Sequence, residues 1–188
     1  MDDVRVSKFL SLVLRHEPSR VGIALDPAGW VAVPVLLAAL AENGWSVGRS
    51  DLERVVAADP KRRYTLDRSG DRIRANQGHS VPVDLGLIST APPPELFHGT
   101  PVRNLPAIQK DGLLRQRRHH VHLSPDVGTA AAVGARRGAF AVLRVDAAAM
   151  HAAGYSFAVS ANGVWLTDAV PARYLTRMDE FAPSTGVR

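Results

Sequence analysis

Residues 63–76, Arg-Tyr-Thr-Leu-Asp-Arg-Ser-Gly-Asp-Arg-Ile-Arg-Ala-Asn, decide the fold expected for the first half of the chain. Residues 63–67 and 72–76 are each typical of a short strand. The residues between them, Asp-Arg-Ser-Gly-Asp at 67–71, are typical of a tight turn. The stretch therefore predicts a β-hairpin.

Three helices and a short strand are predicted before this hairpin. Apolar residues at helical spacing over 6–14 predict a first helix that ends near Pro18. Residues 30–33 are typical of a short strand, and a second helix is expected over 34–44, from a proline to an Asn-Gly stop. A capping box opens a third helix at 50–58. A helix, a short strand, two helices and a hairpin follow one another in the order of a winged helix.

The second half of the chain is predicted to be a separate lobe. Residues 92–94 are three consecutive prolines, which can continue neither a helix nor a central strand, so they mark a linker. We expect one domain at 1–85 and another at 92–188. Short strands mixed with helices predict an α+β class. The expected strands are 96–100, 121–123, 139–145, 155–159 and 164–167, and the expected helices are near 104–110 and 126–134.

Composition restricts the class of protein. The chain has 188 residues, a net charge of +5, seven histidines and no cysteine. No apolar run of membrane-spanning length occurs, and the start is acidic at Asp2 and Asp3, so a cytoplasmic protein without a membrane segment is expected. The lack of cysteine excludes disulfides, thiolate catalysis and cysteine-bound zinc, and the histidines show no metal-ligand spacing. We therefore expect no metal.

Positive charge is concentrated in one region. Residues 101–140 hold seven basic side chains against two acidic ones, a local excess of +5. Such a surface suits a polyanionic ligand. Almost all basic residues are arginines, whose planar fork grips phosphate in a bidentate manner. Codon usage in a GC-rich genome would also enrich arginine.

Two segments of the first lobe carry side chains suited to holding phosphate or moving protons. They are Leu14-Arg15-His16 and the run Ile-Arg-Ala-Asn-Gln-Gly-His-Ser at 73–80. Buried Arg, His and Asn side chains need polar partners, so we expect the two segments to belong to one anion site. Taken separately, Arg15-His16 is also compatible with an ordinary helix end and 76–80 with a plain turn.

The third predicted helix is a poor reader of DNA. Residues 52–58 offer one basic side chain and no Asn, Gln or Lys that would read base edges. The basic groups stand on the strands instead, where Arg63 and Thr65 share one face and Arg62 points to the other. This distribution favours a phosphate site over a sequence-reading helix.

The second lobe carries three weaker motifs. Phe-His-Gly-Thr at 97–100 ends a predicted strand, and His-Val-His-Leu-Ser at 120–124 places alternate polar side chains on one face. Val-Gly-Ala-Arg-Arg-Gly at 133–138 is a basic turn that suits a pyrophosphate. Each is also compatible with a plain strand or turn, and no Walker or Rossmann glycine pattern is present.

Taken together, the motifs are similar to those of the NAD-dependent RNA 2′-phosphotransferases, from about Ser7 to Leu175. Those at 73–80 and 162–168 are the most specific. The motifs follow the family's order along the chain: Leu-Arg-His (14–16), Lys-Arg-Arg-Tyr (61–64), Ile-Arg-Ala-Asn-Gln-Gly-His-Ser (73–80), His-Gly-Thr (98–100), His-Val-His-Leu-Ser (120–124), Val-Gly-Ala-Arg-Arg-Gly (133–138) and Asn-Gly-Val-Trp-Leu-Thr-Asp (162–168).

The resemblance implies a winged-helix lobe that binds RNA, joined to a lobe of the ADP-ribosyltransferase fold that binds NAD, with the active site in a cleft between them. Its members move an internal RNA 2′-phosphate, as left on tRNA by one kind of splicing, onto NAD without a metal. The RNA is first ADP-ribosylated with loss of nicotinamide. Transesterification then yields 2′-hydroxyl RNA and ADP-ribose 1″,2″-cyclic phosphate.

The resemblance also implies roles for individual residues. The catalytic set is Arg15, His16, Arg63 and Arg136, in which the arginines hold the phosphate and His16 acts as a general acid or base. NAD would be bound by His98, Gly99, Thr100, His122, Ser124 and Asn162, and the RNA phosphate by Arg74, Asn76, Gln77 and His79.

One residue assignment and two other functions remain open at this point. Arg137 stands where the family usually has histidine, so the phosphate-binding arginine of this turn is Arg136 or Arg137. Arg62 beside Arg63 creates a similar choice, which spacing and strand phase settle in favour of Arg63. An NAD-dependent ADP-ribosyltransferase acting on nucleic-acid phosphates is one alternative function. A non-catalytic winged-helix regulator is the other. We expect the protein to act as a monomer.

Overall fold

The computed structural model describes residues 2–178, and its contacts divide the chain into two compact units, Met1–Leu87 and Ile88–Arg188. Both units combine helices with small antiparallel sheets, so the α+β class is confirmed. The Asp84 amide donates to the Pro27 carbonyl at 2.7 Å, within the first unit. The Thr90 amide donates to the Phe157 carbonyl at 2.8 Å, within the second.

The first unit is built from three helices and one sheet. The central strand, β3 (Arg72–Ala75), pairs antiparallel with both neighbouring strands, so that Ile73 lies opposite Val31 on one side and Leu66 on the other. The elements are α1 (Asp3–Val13), β1 (Val31–Ala32), α2 (Val33–Glu42), α3 (Arg49–Ala57), β2 (Tyr64–Leu66) and β3 (Arg72–Ala75).

Helical periodicity explains the core of this unit. α1 begins after Asp2, whose carboxylate accepts the Val4 amide at 2.9 Å, and it buries Val6, Leu10 and Val13. Ile73 of β3 is fully buried in the same cluster. This packing fixes the C-terminal end of α1 against the sheet.

Two helix boundaries differ from the sequence expectation. α1 ends at Val13, and a separate 3-10 helix, Pro18–Val21, follows it, so the expected end near Pro18 was too late. α3 begins after Gly48, not at Ser50, because the Asp51 carboxylate accepts the Gly48 amide at 3.0 Å. An acidic residue at the third helical position can fix the start of a helix without a hydroxyl cap.

The second unit packs short helices onto three small sheets. The elements are β4 (Glu95–Pro101), α4 (Leu105–Asp111), β5 (Leu113–Leu114), β6 (Val121–Leu123), α5 (Val127–Gly134), β7 (Phe140–Asp146), α6 (Ala147–Ala152), β8 (Ala158–Val159), β9 (Trp165–Thr167), β10 (Ala169–Val170) and β11 (Leu175–Met178). The sheets have strand orders β11-β7-β4, β6-β9-β8 and β10-β5, all with antiparallel pairs.

Some elements of this unit were not expected from the sequence. α6 is six residues long, too short to show helical periodicity, and it begins where the Asp146 carboxylate accepts the Ala149 amide at 2.9 Å. β5, β10 and β11 are short strands that exist through their pairing partners. The central strand is β7, whose Val142 and Val145 are fully buried.

Candidate active site

The structure brings together two segments of the first unit that are more than sixty residues apart. The Arg15 carbonyl, just after α1, accepts the Ser80 amide at 2.9 Å. The next residue, His16, places Nδ1 at 2.9 Å from the Ser80 hydroxyl. The two motifs at 14–16 and 73–80 are therefore neighbours in the folded unit.

Arg15 is a buried guanidinium at this junction. The residue is 8% exposed, and its Nη2 donates to the Arg63 carbonyl at 3.5 Å. Gly78 passes beside it with φ +87°, and a Cβ at that position would lie 3.7 Å from Arg15 Nη1. Because that φ is costly for any other residue, Gly78 lets the chain pass beside the guanidinium.

Arg63 is held by the buried carboxylate of Asp59, four residues earlier in the chain. Its guanidinium Nη1 donates to Asp59 Oδ1, and its backbone amide donates to Asp59 Oδ2 at 2.7 Å. The Asp59 side chain is 2% exposed and that of Arg63 is 29% exposed. Arg62 has a left-handed φ of 42° and is exposed. The two adjacent arginines thus occupy different environments.

Asn76 uses its side-chain amide to hold the chain that leads into β2. Its Oδ1 accepts the Thr65 hydroxyl at 2.5 Å, and its Nδ2 donates to the Arg62 carbonyl at 2.6 Å. The Asn76 backbone amide donates to the Arg63 carbonyl at 2.8 Å. These bonds fix the backbone that carries Arg63.

The other residues of this motif contact the turn at 26–30. Arg74 lies over the Trp30 ring, 4.6 Å from its centroid, and donates to the Ala28 carbonyl at 3.3 Å. His79 is 2% exposed, and its Nε2 would lie 3.5 Å from a Cβ on Gly29. Gln77 is half-buried. In this unit Arg74 and His79 pack against the turn.

A groove of about 560 Å³ runs between α1 and the segment after α3. His16 and Arg63 both line it, so these two side chains reach a common space. Asp59 lines it as well. The polar side chains contributed by α1 are Asp3, Ser7, Lys8 and Ser11.

His98 and His122 meet in the second unit, where β4 approaches β6. His98 Nδ1 donates to the His122 carbonyl at 3.0 Å. Burial lowers the pKa of His98 below its ordinary value, and the nearby Arg118 acts in the same direction, whereas the bond to His122 opposes them. The neutral ring then carries its proton on Nδ1 and presents Nε2 as an acceptor.

Arg118 adds a cation beside this pair. Its Nη1 lies 2.7 Å from His122 Nδ1, and because a guanidinium only donates, Nδ1 is the acceptor. Although the residue is exposed overall, partial desolvation of its guanidinium and the positive charge of Arg137 lower the pKa of Arg118. Two like charges close together favour a bound anion.

Three further residues that the resemblance implied as NAD-binding contact neighbouring parts of the second unit: Gly99, Thr100 and Ser124. A Cβ on Gly99 would lie 1.8 Å from the Ala130 carbonyl, so the close approach at this glycine is made by α5. Thr100 is 2% exposed, and its hydroxyl accepts from Asn104 Nδ2 at 3.2 Å. Ser124 pairs its backbone with Phe97 at 2.8 Å.

Turns of the second unit carry Asn162 and the two arginines, Arg136 and Arg137, that the sequence offered as binding residues for the phosphate. Asn162 is half-buried, with Oδ1 accepting the Ser160 hydroxyl at 2.8 Å, ahead of Gly163 at φ +80°. Arg136 and Arg137 follow α5 in the 3-10 helix Ala135–Arg137, and both are exposed. The basic turn at 133–138 is therefore accessible to a ligand.

The family model described as RNA 2′-phosphotransferase, Tpt1 / KptA family, matches residues 1–169. The chain belongs to this family. A Streptomyces griseus protein named probable RNA 2′-phosphotransferase is 57% identical over 179 residues, covering 92% of this chain and 95% of the relative. Proteins of the same name from Nostoc punctiforme and Burkholderia lata are 51% and 49% identical, covering 93% and 95% of this chain and 97% and 93% of theirs.

Two residues that contact the candidate site residues of this RNA 2′-phosphotransferase family member were not singled out from the sequence. Asp59 stands in a turn, Asp-Pro-Lys-Arg-Arg, and no local signal shows that its carboxylate will be buried on Arg63. Arg118 stood out only as part of a basic run before the His-Val-His motif.

Among residues 2–178, no group of three or more His, Asp or Glu side chains suits a metal, and no helix is long and apolar enough to cross a membrane.

Proposed function

We propose that this protein transfers an internal RNA 2′-phosphate to NAD, giving 2′-hydroxyl RNA, ADP-ribose 1″,2″-cyclic phosphate and nicotinamide. The observation that carries the proposal is the convergence of Arg15, His16 and Arg63 in one folded unit. Arg15 donates to the Arg63 carbonyl, and His16 and Arg63 line the same groove. Two guanidiniums and an imidazole in this arrangement suit a phosphate that is to be held and then transferred.

We propose that the first unit is a winged helix and the second an ADP-ribosyltransferase-like lobe. The first unit has three helices, with a hairpin of β2 and β3 after α3 and the short β1 on its other side. In the second unit, small antiparallel sheets carry short helices. In this arrangement the first unit would bind the RNA phosphate and the second unit would bind NAD.

The second unit has groups that fit NAD as a co-substrate. His98 presents Nε2 as an acceptor for a ribose hydroxyl, because Nδ1 is committed to the His122 carbonyl. Arg118 and Arg137 supply the positive charge that a pyrophosphate needs. NAD supplies an anomeric carbon that accepts the phosphate oxygen and a nicotinamide that leaves. Gly99, Thr100, Ser124 and Asn162 are proposed to shape this site, in part through the packing of α5 on β4.

The chain's own residues then act on the phosphate. Arg15 and Arg63 hold it and stabilise the charge on its oxygens during transesterification. Arg136, from the second unit, is proposed as the third catalytic arginine. His16 moves a proton through Nε2, since Nδ1 faces the Ser80 hydroxyl. In this transesterification the ribose 2″-oxygen would form a bond to the phosphorus as the bond between the phosphorus and the RNA 2′-oxygen breaks. The proton lost by the ribose 2″-hydroxyl would end on the RNA 2′-oxygen.

Incubation with NAD and an RNA that carries one radiolabelled internal 2′-phosphate tests the proposal. The label is expected to move into ADP-ribose cyclic phosphate while nicotinamide is released in equal amount. A stable ADP-ribosylated RNA would instead indicate an ADP-ribosyltransferase. Binding to duplex nucleic acid without nicotinamide release would indicate a regulator. Both outcomes would contradict the proposal.

A further inference from the structure

We propose that Asp59 is a positioning residue for Arg63, orienting its guanidinium for the RNA 2′-phosphate. The inference rests on the proposed function, since Arg63 needs an orientation only if it binds a reacting group. Asp59 precedes β2 and lies in the wall of the groove that His16 and Arg63 also line.

Asp59 organises the whole turn through which the chain reaches Arg63. Its Oδ2 accepts the Arg63 amide at 2.7 Å, and Oδ1 accepts the Lys61 amide at 3.2 Å together with the Arg63 guanidinium. Its own carbonyl accepts the Arg62 amide at 2.9 Å. Both carboxylate oxygens therefore act on residues of one short turn, and one of them reaches the Arg63 side chain.

Asp59 and Arg63 differ in exposure, and the more exposed Arg63 is the partner that can contact a ligand. The Asp59 side chain is 2% exposed, whereas that of Arg63 is 29% exposed. A guanidinium has five N–H donors in a rigid plane, so an acceptor on Nη1 fixes the plane and leaves other donors for a ligand. A phosphate in the groove would meet an arginine that is already oriented.

The Arg63 backbone is also held by Asn76, in addition to its bond with the Asp59 carboxylate. Asn76 donates to the Arg62 carbonyl at 2.6 Å from its side chain and to the Arg63 carbonyl at 2.8 Å from its backbone. Arg62 adopts φ 42°, a left-handed conformation that is uncommon for arginine. Asn76 bonds only to backbone groups of this turn, whereas Asp59 also bonds to the Arg63 guanidinium, so Asp59 is the partner that can orient the Arg63 side chain.

Asp67 offers a matched control within the same sheet. Its Oδ1 accepts the Asp71 amide at 3.0 Å and the Arg72 amide at 3.2 Å, and its Oδ2 accepts Arg72 Nε at 2.9 Å. Like Asp59, it therefore joins a turn to an arginine side chain. Neither Asp67 nor Arg72 lines the groove. If each carboxylate only holds its turn, Asp59→Asn and Asp67→Asn should have the same effect on stability and on activity.

The experiment is a double-mutant cycle on full-length protein. Asp59→Asn, Arg63→Ala and the double variant are assayed with 2′-phosphorylated RNA and NAD, and their unfolding midpoints are measured beside that of Asp67→Asn. Asp59→Asn is expected to lower kcat/KM for the RNA by about 10- to 100-fold, the range for a misplaced catalytic group. The KM for NAD should not change, and Asp67→Asn should keep wild-type kinetics.

The decisive comparison uses the Arg63→Ala background. If Asp59 acts through Arg63, adding Asp59→Asn there changes kcat/KM by no more than about twofold. A further large loss in that background would overturn the inference, as would a fully active Asp59→Asn. Should Asp59→Asn not fold, Asp59→Ser retains a hydroxyl acceptor for the turn and replaces it in the cycle. An inactive wild-type protein would overturn the proposed function as well, whereas an active one isolates the inference.

Discussion

Adjacent arginines in this chain differ because of the groups that hold them. Strand phase favoured Arg63 over Arg62 for the phosphate, and in the structure Arg63 lines the groove and is bound by Asp59. Arg62 is exposed, and its carbonyl is the group that the fold uses. The assignment of the catalytic role to Arg63 stays a prediction that a pair of variants can test.

Arg63→Ala is expected to slow transesterification by about 100-fold or more, because removing one donor from a preorganised electrostatic site has an effect of that size. ADP-ribosylated RNA should then accumulate while nicotinamide release is less affected. Time courses that resolve both RNA species would measure this. Arg62→Ala is the matched control and should turn over like the wild type. If Arg63→Ala slowed nicotinamide release and dephosphorylation equally, this would contradict the assignment of Arg63 to transesterification.

His98 predicts a pH dependence of folding. Burial lowers its pKa in the native state, so the unfolded chain binds a proton more readily in the interval between the native pKa and the ordinary value of about 6.5. The free energy of unfolding should therefore be fully retained above about pH 6.5 and fall as the pH drops below it. Above that interval neither state is protonated, so His98 adds no further pH dependence there.

Urea unfolding of the wild type and of His98→Asn, from about pH 8 to about pH 5, would measure this dependence. The asparagine amide can replace the Nδ1 donor to the His122 carbonyl but does not titrate. The wild type should lose stability relative to His98→Asn as the solution becomes acidic. A difference that stays constant with pH would show that His98 is protonated equally well in both states.

At the scale of elements, the crossing of α5 over β4 explains the glycine of the His-Gly-Thr motif. A Cβ on Gly99 would lie 1.8 Å from the Ala130 carbonyl and 2.8 Å from the Gly134 amide, both backbone atoms. The resemblance to the family implied that Gly99 lies against NAD, in the space that the absent side chain leaves. In the structure, the room is used by the helix, so the motif holds α5 in place beside His98.

Gly99→Ala should lower the free energy of unfolding by about 3 kcal/mol or more, because the helix backbone must move to admit the methyl group. Gly128→Ala, inside α5 and 3.4 Å from Asp126 Oδ1, is the control. It should be neutral or stabilise by up to about 1 kcal/mol, since alanine favours helix. Denaturant unfolding of both variants measures the difference. A Gly99→Ala protein as stable as Gly128→Ala would show that α5 can shift freely.

At the scale of the whole molecule, the positive charge predicts how RNA binding responds to salt. The net charge is +5, and the region 101–140 alone carries an excess of that size. Each phosphate neutralised on a single strand contributes a slope of about −0.7 to the logarithm of affinity against that of salt concentration. Binding of 2′-phosphorylated RNA should therefore weaken steadily from about 50 to 200 mM salt. Flat binding over this range, measured by fluorescence anisotropy, would contradict a phosphate-dominated interface.

The helices and strands could largely be predicted from the sequence because their signals are local. Apolar spacing located α1, a proline start and an Asn-Gly stop located α2, and the turn at 67–71 located the hairpin of β2 and β3. The exceptions are elements with no local signal of their own. α6 is one and a half turns long, and β11 exists because it pairs with β7.

The sequence by itself determined most of the helices and strands, the α+β class and the motifs that identify the family. Only the tertiary structure decided where each polar side chain of those motifs points. Asn76 turns to the Arg62 carbonyl, His79 lies beneath Gly29, and Arg63 meets Asp59 at the groove. The reason is that periodicity and caps act over a few residues, whereas a buried polar group takes its partner from whichever segment packs against it.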